Sequence, residues 1–406
     1  MKKILLTATL LLGFGFAHSQ NINDNKISFN YIQLPLIKID NQFDTYEIQV
    51  EHNYNQANED SLAMFAARKE AGMTFFLQQM AVHQVQRDSL DRIYLTKLST
   101  WEKNTNAGIK NPDGTAIAKP GPPNYPAPPT YPNFDSPQLH SPYADADVAQ
   151  RISLAGFENG TGGVVMTIKL LPIQNIRIVG KKSGTGTATK YAYDAQYTLP
   201  VSVVVSSPSQ GILLETTLFT SAKNYKMADR KSAYDHDLYM MDNKAEFFSQ
   251  LETYARNEAL TSANNYLNDQ FGYVNKNRTA EIYSVKSFKS YDYTDVTESF
   301  SLTVLALQAV GNDRDRSGAM DKIEEATNSI KLILEESSTT DNKTRINPKV
   351  RAMLQCNLAE LHIWEAEFDK ADATVNLAMN SGEGKAKRHC KDELGFYKDQ
   401  RNRWAV

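Results

Sequence analysis

Residues Cys356 to Met379 read CNLAELHIWEAEFDKADATVNLAM. Two helical segments meet here around Glu365 and Ala366. Leu358 with Ala359 on the first, and Phe368, Ala371 and Ala378 on the second, are the types a close helical hairpin needs. Small residues let the helices approach, and Leu and Phe fill the space between them. Gly382 and Gly384 then stop the second helix, as glycines after a helix C-terminus do. One hairpin cannot bury its own apolar face, so neighbours must stack on it. Leu302 to Val310 and Ile323 to Leu334 predict a helix pair upstream, and Ala386 to Trp404 a capping helix downstream.

This stretch, within about 352–384, resembles the core of a tetratricopeptide repeat. Leu358 and Ala359 match its leucine and small residue, Ala366 its small turn residue, and Phe368, Ala371 and Ala378 the aromatic and alanines of its second helix. His362 replaces the first-helix aromatic, and the closing proline is missing. The resemblance implies a C-terminal helical-repeat domain over 296–406 whose concave surface takes a peptide or protein partner. Cys390 follows Cys356 by 34 residues, one repeat period, so the two thiols can face each other on adjacent first helices. They are the only cysteines, and they fit either one disulfide in an oxidising compartment or two buried free thiols.

Further upstream, ten of the fifteen prolines fall between Pro112 and Pro142. Proline has no amide proton and disfavours helix before it, so 106–143 reads as an extended linker. Its aromatic residues Tyr125, Tyr131 and Phe134 suit either a spacer packed along the protein's own surface or a polyproline ligand for a foreign groove. After it, 144–295 reads as a β-rich α+β domain. Its strands are predicted over 164–171, 173–179, 188–197, 201–205, 212–219 and 280–288, with a helix over 243–268. Before it, 20–105 reads as two strands, from Ile27 and from Tyr46, and a long amphipathic helix from Glu59 to Trp101. So long an apolar stripe needs a partner, either the chain's own sheet or another chain across a coiled-coil-like seam. Leu34-Pro35-Leu36 and Leu199-Pro200-Val201 form a weak internal echo across the linker.

At the N-terminus, Lys2 and Lys3 precede an apolar run from Ile4 to Ala17 and the small-residue exit Ala17-His18-Ser19. This pattern predicts a signal peptide over 1–19, cleaved near Ser19, and a periplasmic or secreted product. The run is too short for a membrane span, and no later stretch approaches the required length. Lys and Arg number 44 against 47 Asp and Glu, net −3. That balance gives no footprint for nucleic acid.

One loop carries metal-binding spacing. In DRDRSGAMDKIE, Asp313, Asp315, Ser317, Asp321 and Glu324, with the Ala319 carbonyl, occupy the ligand positions of an EF-hand calcium loop around Gly318. Arg314 and Arg316 put two cations inside it, and a polar helix connection is the competing reading. Asp235-His236-Asp237 reads as a solvated loop. Gly180 to Lys190 lacks the Gly-Lys-Ser/Thr ending of a phosphate loop and reads as a hairpin tip. No histidine pair has the spacing of a zinc helix, and there is no nucleophile elbow.

The expected fold is α+β, a mainly antiparallel β-rich body with long helices followed by an all-α repeat-like domain. The expected function is a non-enzymatic envelope scaffold. It would be an accessory subunit of an outer-membrane assembly, transport or secretion complex, docking a protein through its C-terminal domain, with no cofactor beyond the calcium reading. The competing expectation is a secreted glycan-binding protein or hydrolase. Its site would lie on the β-rich domain, where Tyr191, Tyr193 and Tyr197 offer sugar-stacking faces.

Overall fold

Alternating side chains make a strand of Ile22–Gln33 (β1), but its partner lies at the other end of the chain. In the computed structural model, which describes residues 22–51, 54–184, 189–286, 291–311 and 313–405, β1 pairs antiparallel with β10 (Val274–Val285). The register runs from Ile22 opposite Val285 to Gln33 opposite Val274. The leader expected over 1–19 lies outside the described residues. β1 ends where Leu34-Pro35 begins, since proline has no amide proton to extend the ladder.

The main sheet has the order β3-β2-β4-β7-β8. It uses β2 (Thr45–Glu51), β3 (Glu158–Asn159), β4 (Val164–Leu170), β7 (Val201–Ser207) and β8 (Gly211–Leu218). Strict alternation in β4 and β7 buries Val164, Met166, Ile168, Leu170, Val201, Val203 and Val205. The pairs made by β4, β7 and β8 are antiparallel, but β2 runs parallel to β3 and β4. A parallel pair needs a long crossover, and 52–163 supplies it. A second sheet, β5 (Gln174–Ser183), β6 (Lys190–Thr198) and β9 (Lys223–Lys226), is antiparallel throughout.

That crossover holds α1 (Asn55–Asn106), 52 residues long and so about 78 Å at 1.5 Å per residue. It runs unbroken through Asp88 and Ser89. The chain's own sheet does not cover it; the proline-rich stretch does, running back along it. Asn58 exchanges hydrogen bonds with the His140 backbone, Arg68 donates to the Asp135 carbonyl, and Phe76 packs edge-on against Tyr131. Farther along, His83 meets the Pro126 carbonyl at 3.0 Å and Trp101 donates to the Ile117 carbonyl at 2.8 Å. Prolines donate nothing from the backbone, yet the carbonyls around them accept, so helix side chains hold the strap.

α2 (Asp145–Ala149) follows the strap. α3 (Ala233–Phe271) starts earlier than the expected helix at Asn243, because the Ser232 hydroxyl caps the Asp235 amide at 3.0 Å. A kink at Asn243 separates this added portion from the rest. Asp235-His236-Asp237, expected in a loop, therefore lies in the first turns of α3.

The C-terminal region is helical: α4 (Thr294–Val310), α5 (Ser317–Glu335), α6 (Pro348–Trp364), α7 (Phe368–Met379) and α8 (Gly384–Trp404). α4 packs on α5 and α6 on α7, and α8 rests on α6 and α7. Ala366 (φ 59°) turns the chain between α6 and α7, and Gly382 (φ 83°) turns it after α7. The fold is thus mixed α/β, with antiparallel sheets and a C-terminal helical region. Among the described residues three buried clusters form, one inside the body, one where the β1–β10 ribbon meets the helices, and one among α6, α7 and α8. Strands expected in two different segments, β1 and β10, both join the helical unit. Their apolar faces find a larger complement there than in each other.

Candidate interaction surfaces

In a stack of helical hairpins the first helices line the inner face, and here that face is filled from within. The Asn357 side chain accepts from the Tyr283 amide at 2.9 Å and donates to the Tyr283 carbonyl at 2.8 Å, bridging α6 to β10. Phe29 and Tyr31 of β1 pack edge-on against Trp364, with ring centroids 5.3 and 5.1 Å away. Arg278 of β10 donates to both Glu360 oxygens, at 2.7 and 2.6 Å, and to Glu393 at 2.8 Å, while stacking 3.6 Å from the Phe396 ring centroid. Trp364 donates a further bond to Glu360. Burial pushes the Glu360 carboxyl up, but the Arg278 guanidinium outweighs it and holds Glu360 below the usual carboxylate range. The expected partner groove is occupied by the chain's own ribbon. The exposed large apolar side chains of this unit are Leu305 of α4, Met320 and Leu332 of α5, and Leu377 of α7.

The candidate calcium ligands are not drawn together. α5 already begins at Ser317, so Asp321 and Glu324 ride on a helix where a calcium loop would still be turning. Asp315 accepts from the Ser317 amide at 3.0 Å, and this bond holds its carboxyl below the ordinary value. Among the described residues no group of three or more His, Cys, Asp or Glu is placed to hold a metal. The two arginines inside the loop have structural roles instead. Arg314 donates to the Gly156 carbonyl at 2.7 Å and lies over the Tyr273 ring, tying the helical unit to the body. Arg316 is buried in the left-handed backbone region, between the rings of Trp364 and Trp404 at 4.6 and 4.7 Å. Burial pushes its guanidinium down to about 10.

Cys356 and Cys390 do face each other, on α6 and α8, as buried free thiols with sulfurs 3.8 Å apart. The bond to Cys390 and burial push the Cys356 thiol up.

The tyrosines that would stack on sugar are engaged by the fold. Tyr197 is buried and donates to Glu258 at 2.7 Å. Tyr193 stacks on His236 at 3.6 Å with the rings nearly parallel, and burial pushes that histidine below its ordinary value. Lys182 lies over the Tyr191 ring.

A cavity of about 500 Å³ opens between α2 and α3, and Asp147, Arg151 and Arg256 are among its lining residues. It brings one carboxylate to two arginines, not a carboxylate pair. Beside it the buried Glu252 takes hydrogen bonds from the Ser141 amide and, at 2.8 Å, from His140 Nδ1. Arg256 donates to the Ser141 carbonyl. This group pins the end of the strap and left no signal in the sequence, since its two halves, His140–Ser141 and Glu252–Arg256, are more than a hundred residues apart.

Among the described residues, α1 carries more exposed large apolar side chains than any other element. Two rows of large side chains are exposed. One is Met64, Phe75, Val82 and Ile93; the other, on the far side of the helix, is Leu62, Leu77 and Leu95. Isolated exposed apolar residues are ordinary, but rows of them mark an interaction surface. No known family model, curated protein or solved structure matches this chain.

Proposed function

We propose that the protein is a non-enzymatic, exported scaffold of a Gram-negative envelope. In this reading it is an accessory subunit that docks a protein of an outer-membrane assembly, transport or secretion complex. The observation that carries the reading is α1, an arm about 78 Å long that buries only His83 and exposes two apolar rows. The proline strap covers one side, and neither row lies beneath it. With the inner face of the helical unit filled by the ribbon, the arm offers the more extensive docking surface. The outward helices α5 and α7 are the secondary one.

The test is photocrosslinking in living cells from Leu62, Leu77 and Leu95, with Tyr234 on the body, also exposed, as the control position. An adduct with a defined envelope protein from the arm positions, and none from Tyr234, supports the scaffold. No adduct from any arm position, or a cytoplasmic location of the protein, overturns it.

A further inference from the structure

The first row on α1 has an internal symmetry. Met64, Phe75, Val82 and Ile93 are separated by 11, 7 and 11 residues, a sequence of intervals that reads the same from either end. At 100° per residue the four side chains fall within about 20° of one another, so they form one straight line over about eight turns. They are 68%, 61%, 58% and 49% exposed. The midpoint lies between Gln78 and Gln79, inside a stretch from Ala71 to Gln86 that carries no charged side chain. Flanking the row near its ends are Asp60 and Lys97, equally distant from that midpoint and of opposite sign.

We infer that α1 pairs with α1 of a second copy, antiparallel about a two-fold axis at Gln78–Gln79, through the Met64–Phe75–Val82–Ile93 row. The inference rests on reading the arm as an interaction surface, and it names the occupant of one of its faces. A two-fold interface is self-complementary, so every residue must suit the one equally far on the other side of the axis. The row meets that condition: Met64 comes level with Ile93 of the second copy and Phe75 with Val82, apolar on apolar. An antiparallel pair also brings Asp60 toward Lys97 of the second copy. A parallel pair would set Asp60 beside Asp60 and Lys97 beside Lys97, so charge selects the direction. A groove of 410 Å³ runs beside the row between Phe75, Gln79 and Val82 on the helix and Pro126 and Pro129 on the strap. In the pair, the strap prolines of each copy border the helix of the other. The Leu62–Leu77–Leu95 row stays open on the opposite side for a different protein.

The experiment uses the purified mature protein, without other envelope components. Sedimentation equilibrium is expected to show a monomer–dimer equilibrium. Phe75→Glu with Val82→Glu is expected to shift it to monomer while the circular dichroism spectrum and melting temperature stay unchanged, because both side chains are exposed. Under oxidising conditions Gln79→Cys is expected to crosslink with itself. Met64→Cys is expected to crosslink with Ile93→Cys in a mixture and not with itself. A protein that stays monomeric at every concentration, a dimer that survives the double substitution, or Met64→Cys crosslinking with itself overturns the inference. A monomeric protein that still forms arm adducts in cells would leave the scaffold standing and remove only the self-pairing.

Discussion

Helix α6 buries fifteen of its seventeen residues, whereas α1 buries one of its fifty-two. Both look helical in sequence, and both carry apolar side chains at steps of three and four. α6 is covered by the ribbon, by helices α5, α7 and α8, and by a buried ion cluster. α1 is covered on one side, by a strap that has few backbone donors. Hydrophobic period therefore reports that a helix has an apolar face and says little about what lies against it.

The contrast can be broken most severely at Arg278. Arg278→Met would leave Glu360 charged and buried without its cation, and a loss of about 3–5 kcal/mol is expected in urea unfolding. Acid should reach the same cluster gradually. The Glu360 carboxyl is held below its ordinary value in the folded protein, so its contribution is fully present above about pH 4.3. That contribution fades as pH falls further, through the lowered folded value. Thermal melts in acid should thus show the helical unit destabilising as Glu360 protonates, and Glu360→Gln should flatten that part of the profile. A milder break is Asn357→Ala, which strands the Tyr283 amide and carbonyl and should cost about 1–3 kcal/mol by the same unfolding assay.

On the α1 side the effects are smaller. Trp101→Phe removes the bond to the Ile117 carbonyl and should cost about 1 kcal/mol. The readout is faster proteolytic cutting between Lys110 and Lys119, with the unfolding midpoint almost unmoved. A large drop in global stability from Trp101→Phe would mean that the strap and arm are part of the core, and the comparison would fail.

Much of the architecture was legible because its causes are local. Alternation placed β4, β7 and β8 within a residue or two, and Gly382 marked the turn after α7, although Gly384, also read as a stop, begins α8. β9, β3 and α2 were not foreseen, because each is too short to show a period. What no local pattern could supply was pairing. β1 has the same alternation whether it meets β2 or β10, and the choice depends on Trp364 and Glu360, more than three hundred residues later. The loop Asp313 to Glu324 shows the opposite failure, in which correct spacing stood in for geometry. Its ligand pattern is real in sequence, but a helix that starts at Ser317 and an arginine buried between two tryptophans decide how it folds. The spacing of the two cysteines had suggested that they could meet, and α6 and α8 do bring their thiols to 3.8 Å.

The register between β1 and β10 also sets an order of events. Ile22 emerges near the beginning of synthesis and finds Val285 only after 263 further residues have appeared. Until then Phe29 and Tyr31 have no Trp364 to cover them, and α6 has no ribbon along its inner side. Contacts this distant in sequence form slowly and late. The helical unit therefore closes only once almost the whole polypeptide is available, whereas every residue of the body core, from Ile39 to Phe271, is present before the first of the C-terminal helices appears.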